Sequence, residues 1–254
     1  MYLKICSPFL AAIALFTLTD TGKAQNIIGW NYDGQGADTL AAGELAGASG
    51  FEQLNWNNHA ATSGTGGPQG VGSVPFALNN NLGLSSGASV TAISILTNNS
   101  WKYDEFNSPN EKLLNAWADQ QPSITISGIP ASFQASGYSL VIYYGNNEGP
   151  SDSLISISGS VNDVASRMIR TGNTAAASFR NVGFLQETGA LTGSTNYTVF
   201  TGLNDPSFTI AMNDPLPSNN NGIAAFQIVA VPEPTSFVLV ALGAAALGLR
   251  RRRS

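Results

Sequence analysis

Apolar residues recur along most of this chain with a period of two rather than 3.6. From Pro122 to Ile129, Ile124 and Ile126 fall on one face and Thr125 and Ser127 on the other. Ser153–Ser158 alternates through Leu154, Ile155 and Ile157, and Ser89–Leu96 alternates in part through Val90, Ile93 and Ile95. Tyr197–Phe200, Ser207–Met212 and Ile223–Val231 continue the pattern, while Tyr138–Tyr144 is apolar enough for a central strand. Turn formers punctuate these runs: Gly145-Asn146-Asn147, Gly159-Ser160, Gly202 to Pro206, Asp214-Pro215 and Asn219 to Gly222. Many short strands with Gly, Asn and Pro between them predict an all-β chain, a β-sandwich or jelly roll.

One short helix is expected. Ser108 is a natural N-cap ahead of Pro109 at the first helical position, and Glu111, Leu113, Leu114 and Trp117 follow at helical spacing, with Asp119–Pro122 ending it. Gly64–Asn81 is dense in Gly and Pro and reads as loop, either slack or a mobile binding loop.

The two ends differ from the middle. Lys4 followed by the apolar stretch Phe9–Leu18, with Gly22 and Ala24 before Gln25, has the layout of a secretory signal peptide over 1–24, cut between Ala24 and Gln25. Cys6 precedes the apolar core, so it does not sit where a lipoprotein cysteine would. At the other end stand Val231, Pro232, Glu233 and Pro234. The uncharged run Phe237–Leu249 follows (Phe237, Val238, Leu239, Val240, Leu242, Leu247 and Leu249 its bulk), then Arg250, Arg251, Arg252 and Arg253. The prolines cannot enter a helix interior. The apolar run is expected to form a single helix, short against the roughly 20 residues a span needs, and the arginines stay on the cytoplasmic side as a stop. The segments leave 25–230 as one β-sandwich domain and 231–254 as a sorting and anchor segment.

This order resembles the PEP-CTERM sorting signal of Gram-negative and related bacteria. The resemblance implies recognition and processing by the membrane protease/transpeptidase exosortase, on a protein of the kind that accompanies exopolysaccharide production. A looser likeness runs through Ile27–Trp30, Phe51–Asn58, Gly128–Pro130 and Tyr138–Tyr144. There the chain is similar to exported PEP-CTERM cargo domains of Verrucomicrobia and Planctomycetes, which are themselves similar to galactose-binding-like jelly rolls.

Charge narrows the partners. Between the two tags stand five basic residues (Lys102, Lys112, Arg167, Arg170, Arg180) against fourteen acidic ones, a net of −9. Such a surface excludes nucleic acid, which needs clustered Lys and Arg. Cys6 is the only cysteine, so the region after residue 24 has no disulfide, thiolate metal site or cysteine nucleophile. Abundant Gly, Ser, Thr and Asn give the texture of extracellular β-proteins, with hydroxyls and amides over the sheet surface.

Candidate chemistry is sparse. His59 is the only histidine, no Gly-x-Ser-x-Gly elbow is present, and no spacing singles out a carboxylate pair for glycoside hydrolysis. Trp30 and Tyr32, Trp56, and Trp101 stand among Asn and Asp residues and are candidate carbohydrate platforms. The competing reading puts Trp30 and Trp56 in the sandwich core, and Trp117 belongs to the core on either reading. Oxygen-rich turns at Asp33–Asp38 and Asn146–Glu148 are weak calcium candidates, and no metal or other cofactor is expected. The sequence therefore predicts an exported, non-catalytic, structural or exopolysaccharide-associated protein that meets exosortase and a membrane through its C-terminus. The alternatives are a carbohydrate-binding module and, third, a polysaccharide-active enzyme.

Overall fold

The structure is a computed structural model that describes residues 26–33, 39–60, 75–94, 100–102, 108–119, 121–146, 149–172, 183–191, 193–213 and 221–232. In chain order it contains β1 (Ile27–Asp33), β2 (Asn57–Ala60), β3 (Phe76–Asn79), β4 (Ser85–Ser94), β5 (Ser100–Lys102), α1 (Pro109–Leu113), β6 (Ala116–Asp119), β7 (Ser123–Ser127) and α2 (Ala131–Ser136). There follow β8 (Tyr138–Gly145), β9 (Ser151–Gly159), β10 (Val164–Thr171), β11 (Gln186–Glu187), β12 (Tyr197–Leu203), β13 (Ser207–Asn213) and β14 (Gly222–Ala230). The signal peptide at 1–24, the apolar run at 237–249 and the arginines at 250–253 lie outside the described residues.

Two sheets face each other. The larger runs β11-β12-β8-β14-β1-β2, with β6 joined to β14 and β5 to β6; the smaller runs β10-β9-β13-β7-β4-β3. Pairing is antiparallel except for β1 with β2 and β11 with β12. Their inner faces form one core, in which Trp30, Leu140, Ile142, Tyr144, Phe226 and Ile228 meet Val90, Ile124, Ile126, Ile157, Phe208 and Ile210. The smaller sheet is covered on one side only, so its strands show clean alternation; β7 and β13 alternate inward Ile and Phe with outward Ser and Thr.

The larger sheet is covered on both faces. Its outer side carries Val141, Tyr143, Ala225 and Val229 under a lid built from Leu40, Ala46, Ala48, Trp56, Leu113 and Trp117. This explains why Leu140–Tyr144 is continuously apolar: a strand buried on two faces has no polar side. A chain of hydrogen bonds pins the lid to the sheet. The Ala48 amide donates to Tyr143 Oη (2.9 Å), the Tyr143 hydroxyl donates to Gln227 Oε1 (2.6 Å), and Gln227 Nε2 donates to the Phe51 carbonyl (2.6 Å). Burial pushes the Tyr143 hydroxyl far above its ordinary pKa, so it stays a neutral donor.

Three local expectations are corrected. The helix after Ser108 does form, with Ser108 Oγ accepting from the Glu111 amide at 3.3 Å, but it ends at Leu113. Trp117 lies in β6 instead, opposite Trp101 of β5, because Ala118 and Asp119 pair with Ile223 and Gly222 at the margin of the larger sheet. Gly222 is required there: a Cβ would run into the Ala118 carbonyl and the Trp117 ring. A second helix, α2, begins after Pro130 and closes at Gly137 in a left-handed conformation (φ 77°). Part of the segment expected to be loop, Phe76–Asn79, is β3, hydrogen-bonded along β4; residues 64–74 lie outside the description.

The topology divides the sandwich into two ends. One gathers the turns Asn80–Leu84, Gly159–Asp163 and Leu203–Pro206, the segment Gly128–Gly137, and the chain at Asn26 and Val231. The Asn81 amide donates to the Ile27 carbonyl (2.8 Å), Ile129 to Pro206 (3.0 Å), and Val231 to Gly137 (3.1 Å). At the opposite end the strands close on a buried polar cluster. Thr171 Oγ1 donates to Asn221 Oδ1 (2.8 Å), Asn221 Nδ2 to Ser153 Oγ (2.7 Å), and Asn146 Nδ2 to Thr171 Oγ1 (3.2 Å).

Candidate functional site

The residues that lead into the C-terminal segment are set by the last strand. β14 lies inside the larger sheet, paired to β8 along its length, to β1 over Ala225–Val229 and to β6 at its start. Its end is fastened too, by the Ala230 amide on the Asn26 carbonyl (3.0 Å) and the Val231 amide on the Gly137 carbonyl. The core thus stops at residue 230, and the first two residues beyond it, Val231 and Pro232, are solvent-exposed.

Residues 230–253 match the PEP-CTERM protein-sorting motif. The chain carries a PEP-CTERM sorting signal. That signal marks a protein exported and sorted by exosortase, a membrane enzyme, to the cell surface, and Val231, Pro232, Glu233 and Pro234 fall within it. No curated protein matches the chain.

The aromatic candidates lie elsewhere than a sugar platform requires. Trp30 is fully buried, stacked on Phe226 (centroids 5.2 Å apart, 18° between planes), and Tyr32 packs beside it. Trp56 is buried in the lid, edge-on to Tyr143, its Nε1 donating to the Ala46 carbonyl at 3.2 Å. None of these three rings has a face free for a ligand. The physical reason is position: Trp30 and Tyr32 alternate inward on a strand covered on both sides, and Trp56 fills the space over the larger sheet. The Trp101 side chain lies outside the description. His59 is partly buried, stacked face to face on Phe76 (4.2 Å), and its Nδ1 accepts from Trp30 Nε1 (3.2 Å), which places the ring proton on Nε2. Burial holds its pKa below the ordinary histidine value.

The described carboxylates are engaged in structure. Asp205 bridges two turns: its Oδ2 accepts from the Val161, Asn162 and Asp163 amides at 2.9–3.0 Å, while Asp163 Oδ2 accepts from the Asn204 and Asp205 amides (2.7 and 2.8 Å). Burial works to raise the Asp205 pKa, but the three N–H donors prevail and lower it. Asp152 accepts both Arg170 Nε and Nη2 at a half-exposed edge, and Glu44 pairs with Lys112; each cation's hydrogen bond draws its carboxyl below the usual range. Of the calcium candidates, Asp33 is buried and takes a hydrogen bond from Thr39 (2.5 Å), and Asn146 is in the polar cluster. Among the described residues no three His, Cys, Asp or Glu side chains group as metal ligands.

The sequence reading did not single out two features. Arg167 extends from β10 across the sandwich edge, its Nη1 donating to Thr198 Oγ1 (2.6 Å), the Val199 carbonyl (2.9 Å) and the Glu187 carbonyl (3.3 Å), with its guanidinium 5.1 Å from the Phe200 ring centre. The outer face of the smaller sheet carries hydroxyls in rows across the strands. Ser166, Ser156, Ala211 and Ser123 form one row, Ser158, Thr209 and Thr125 the next, and Ser207, Ser127 and Ser89 a third. Thr125 and Thr209 hydroxyls lie 3.0 Å apart across the strand boundary. Alternating Ser and Thr in β7, β9 and β13 was the visible signal for this face.

Proposed function

We propose that this protein is a non-catalytic β-domain displayed at the cell envelope or in the extracellular matrix, structural in role and associated with exopolysaccharide. The observation that carries the reading is the sorting motif beginning where the last core strand ends. The domain is 25–230, preceded by a signal peptide at 1–24. Phe237–Leu249 holds the chain in the inner membrane as a helix until exosortase acts near Pro232-Glu233-Pro234, and Arg250–Arg253 stop translocation. The antiparallel sheets with repeated crossings from one to the other support a galactose-binding-like jelly roll as the subtype of sandwich.

Two features support the role. The described carboxylates named above are engaged by backbone N–H groups, hydroxyls or cations. The outward, partly exposed hydroxyl rows offer uncharged donors and acceptors, the chemistry that neutral sugar hydroxyls match. That face, rather than the buried Trp30 and Trp56, is where a carbohydrate-binding module would bind. The test is fractionation and intact mass in a host that makes exosortase. The expected product is a surface or extracellular protein starting at Gln25 and lacking the residues beyond the Pro-Glu-Pro block; a membrane-retained chain ending at Ser254 in that host refutes the sorting.

A further inference from the structure

The end of the sandwich from which the C-terminal segment departs differs from the rest of the surface. Of the nine large apolar side chains exposed among the described residues, five lie here: Leu82 (63 %), Leu84 (62 %), Val161 (67 %), Val164 (84 %) and Val231 (40 %). Leu82 and Leu84 flank Gly83 in the β3–β4 turn; Val161 and Val164 lie at the tip of the β9–β10 hairpin. The turns Asn80–Leu84, Gly128–Gly137, Gly159–Asp163 and Leu203–Pro206 contain just two ionisable side chains, Asp163 and Asp205. Both are turned onto backbone amides of the same turns. Single exposed leucines are ordinary on a protein surface. Five exposed apolar side chains gather on one end of an acidic domain, and the two carboxylates of its turns are held on backbone amides rather than offered to a partner.

Chain length says what meets this surface. Six residues, 231–236, separate the end of β14 from Phe237, where the apolar run begins. Fully extended they span about 20 Å. While that run is in a bilayer, this end of the sandwich can only be the end nearest the lipid. We propose that Leu82, Leu84, Val161 and Val164 dock against the lipid surface and seat the sandwich end-on on the membrane that holds its C-terminal segment. This rests on the anchoring reading above. Apolar tips gain by entering the headgroup boundary, and with no Lys or Arg in these turns the docking does not depend on anionic lipid. The hydroxyl face, running along the strands of the smaller sheet, is then held upright and clear of the bilayer.

The test uses the full chain in phosphatidylcholine vesicles. Cys6→Ser supplies a cysteine-free background, into which Leu82→Cys, Val161→Cys, Thr209→Cys or Ala241→Cys is placed and labelled with an environment-sensitive fluorophore. Lipid carrying a nitroxide on its acyl chain is the quencher. The labels at 82 and 161 are expected to be quenched at least twofold more than the one at 209, with 241 quenched most. Quenching at 241 with 82 and 161 no different from 209 overturns the docking and leaves the anchoring intact. No quenching at 241 overturns the anchoring, and the docking with it. Tips that stay unquenched in lipid alone but lose reactivity toward a water-soluble thiol reagent in membranes containing exosortase assign this end to the enzyme, and also overturn the proposal. Unchanged melting of Leu82→Asp and Val161→Asp, with loss of the tip quenching in Leu82→Asp labelled at 161, separates docking from folding.

Discussion

Trp30→Ala separates a core tryptophan from a ligand platform. The indole is fully buried, stacked on Phe226, tilted against Tyr32 and hydrogen-bonded to His59. A tryptophan side chain removes about 150–250 Å² from water, which at about 25 cal/mol per Å² is roughly 4–6 kcal/mol and an upper figure, because the unfolded chain is not fully extended. Truncation of core Trp to Ala typically costs about 3–5 kcal/mol, cavity included. We therefore expect a loss of about 4 kcal/mol, a large share of the roughly 5–15 kcal/mol that holds a domain together. In a domain of this size that lowers the melting temperature by about 8–16 °C. Trp30→Phe keeps an apolar ring but loses the N–H donor to His59, and is expected to cost about 1–2 kcal/mol. Urea unfolding of wild type, both variants and Thr91→Ala on the exposed sheet face measures this, the last expected to stay within about 0.5 kcal/mol. A Trp30→Ala protein within about 1 kcal/mol of wild type would refute the placement of this ring.

His59 gives a pH test. Its folded pKa is depressed by burial, whereas in the unfolded chain it titrates near 6.5, so the unfolded state takes up the proton first as pH falls. The contribution is fully present above pH about 6.5 and is lost as pH drops through the folded value; since this is the only histidine, the window from pH 7 to 5 isolates it. His59→Gln, followed by unfolding across that range, should flatten the wild-type slope, and equal slopes would count against the buried neutral ring. Arg167→Met removes three donated hydrogen bonds that tie the two sheets at one edge. A loss of about 1.5–3 kcal/mol in denaturant unfolding is expected, while an unchanged midpoint would mean the clamp contributes nothing.

Much of the sandwich could be read from side-chain alternation, and the places where it could not have physical causes. β7 and β13 are covered on one face, so Ile124 and Ile126 or Phe208 and Ile210 alternate with hydroxyls and announce themselves. β8 was legible for the opposite reason, as a run buried on both sides. β10 was missed because an edge strand carries exposed Val164 and Met168 outward and Arg167 inward, inverting the usual pattern; that inversion is the Arg167 clamp. Trp117 matched helical spacing from Glu111, but pairing with the sheet margin outweighed local propensity after Leu113. The sorting motif was legible because linear recognition needs no fold. The lid was not, since nothing local in Leu40–Trp56 reveals that Gln227, more than 170 positions away, will hold it down.

β14 completes the larger sheet between β1 and β8 and is the last of the described strands to be synthesised. On a chain exported N-terminus first, the sheet cannot close until residue 230 has crossed, and the sorting motif follows directly behind it. The tag is therefore offered by polypeptides that have reached their final strand, and premature truncation forfeits both the keystone and the delivery label at one stroke.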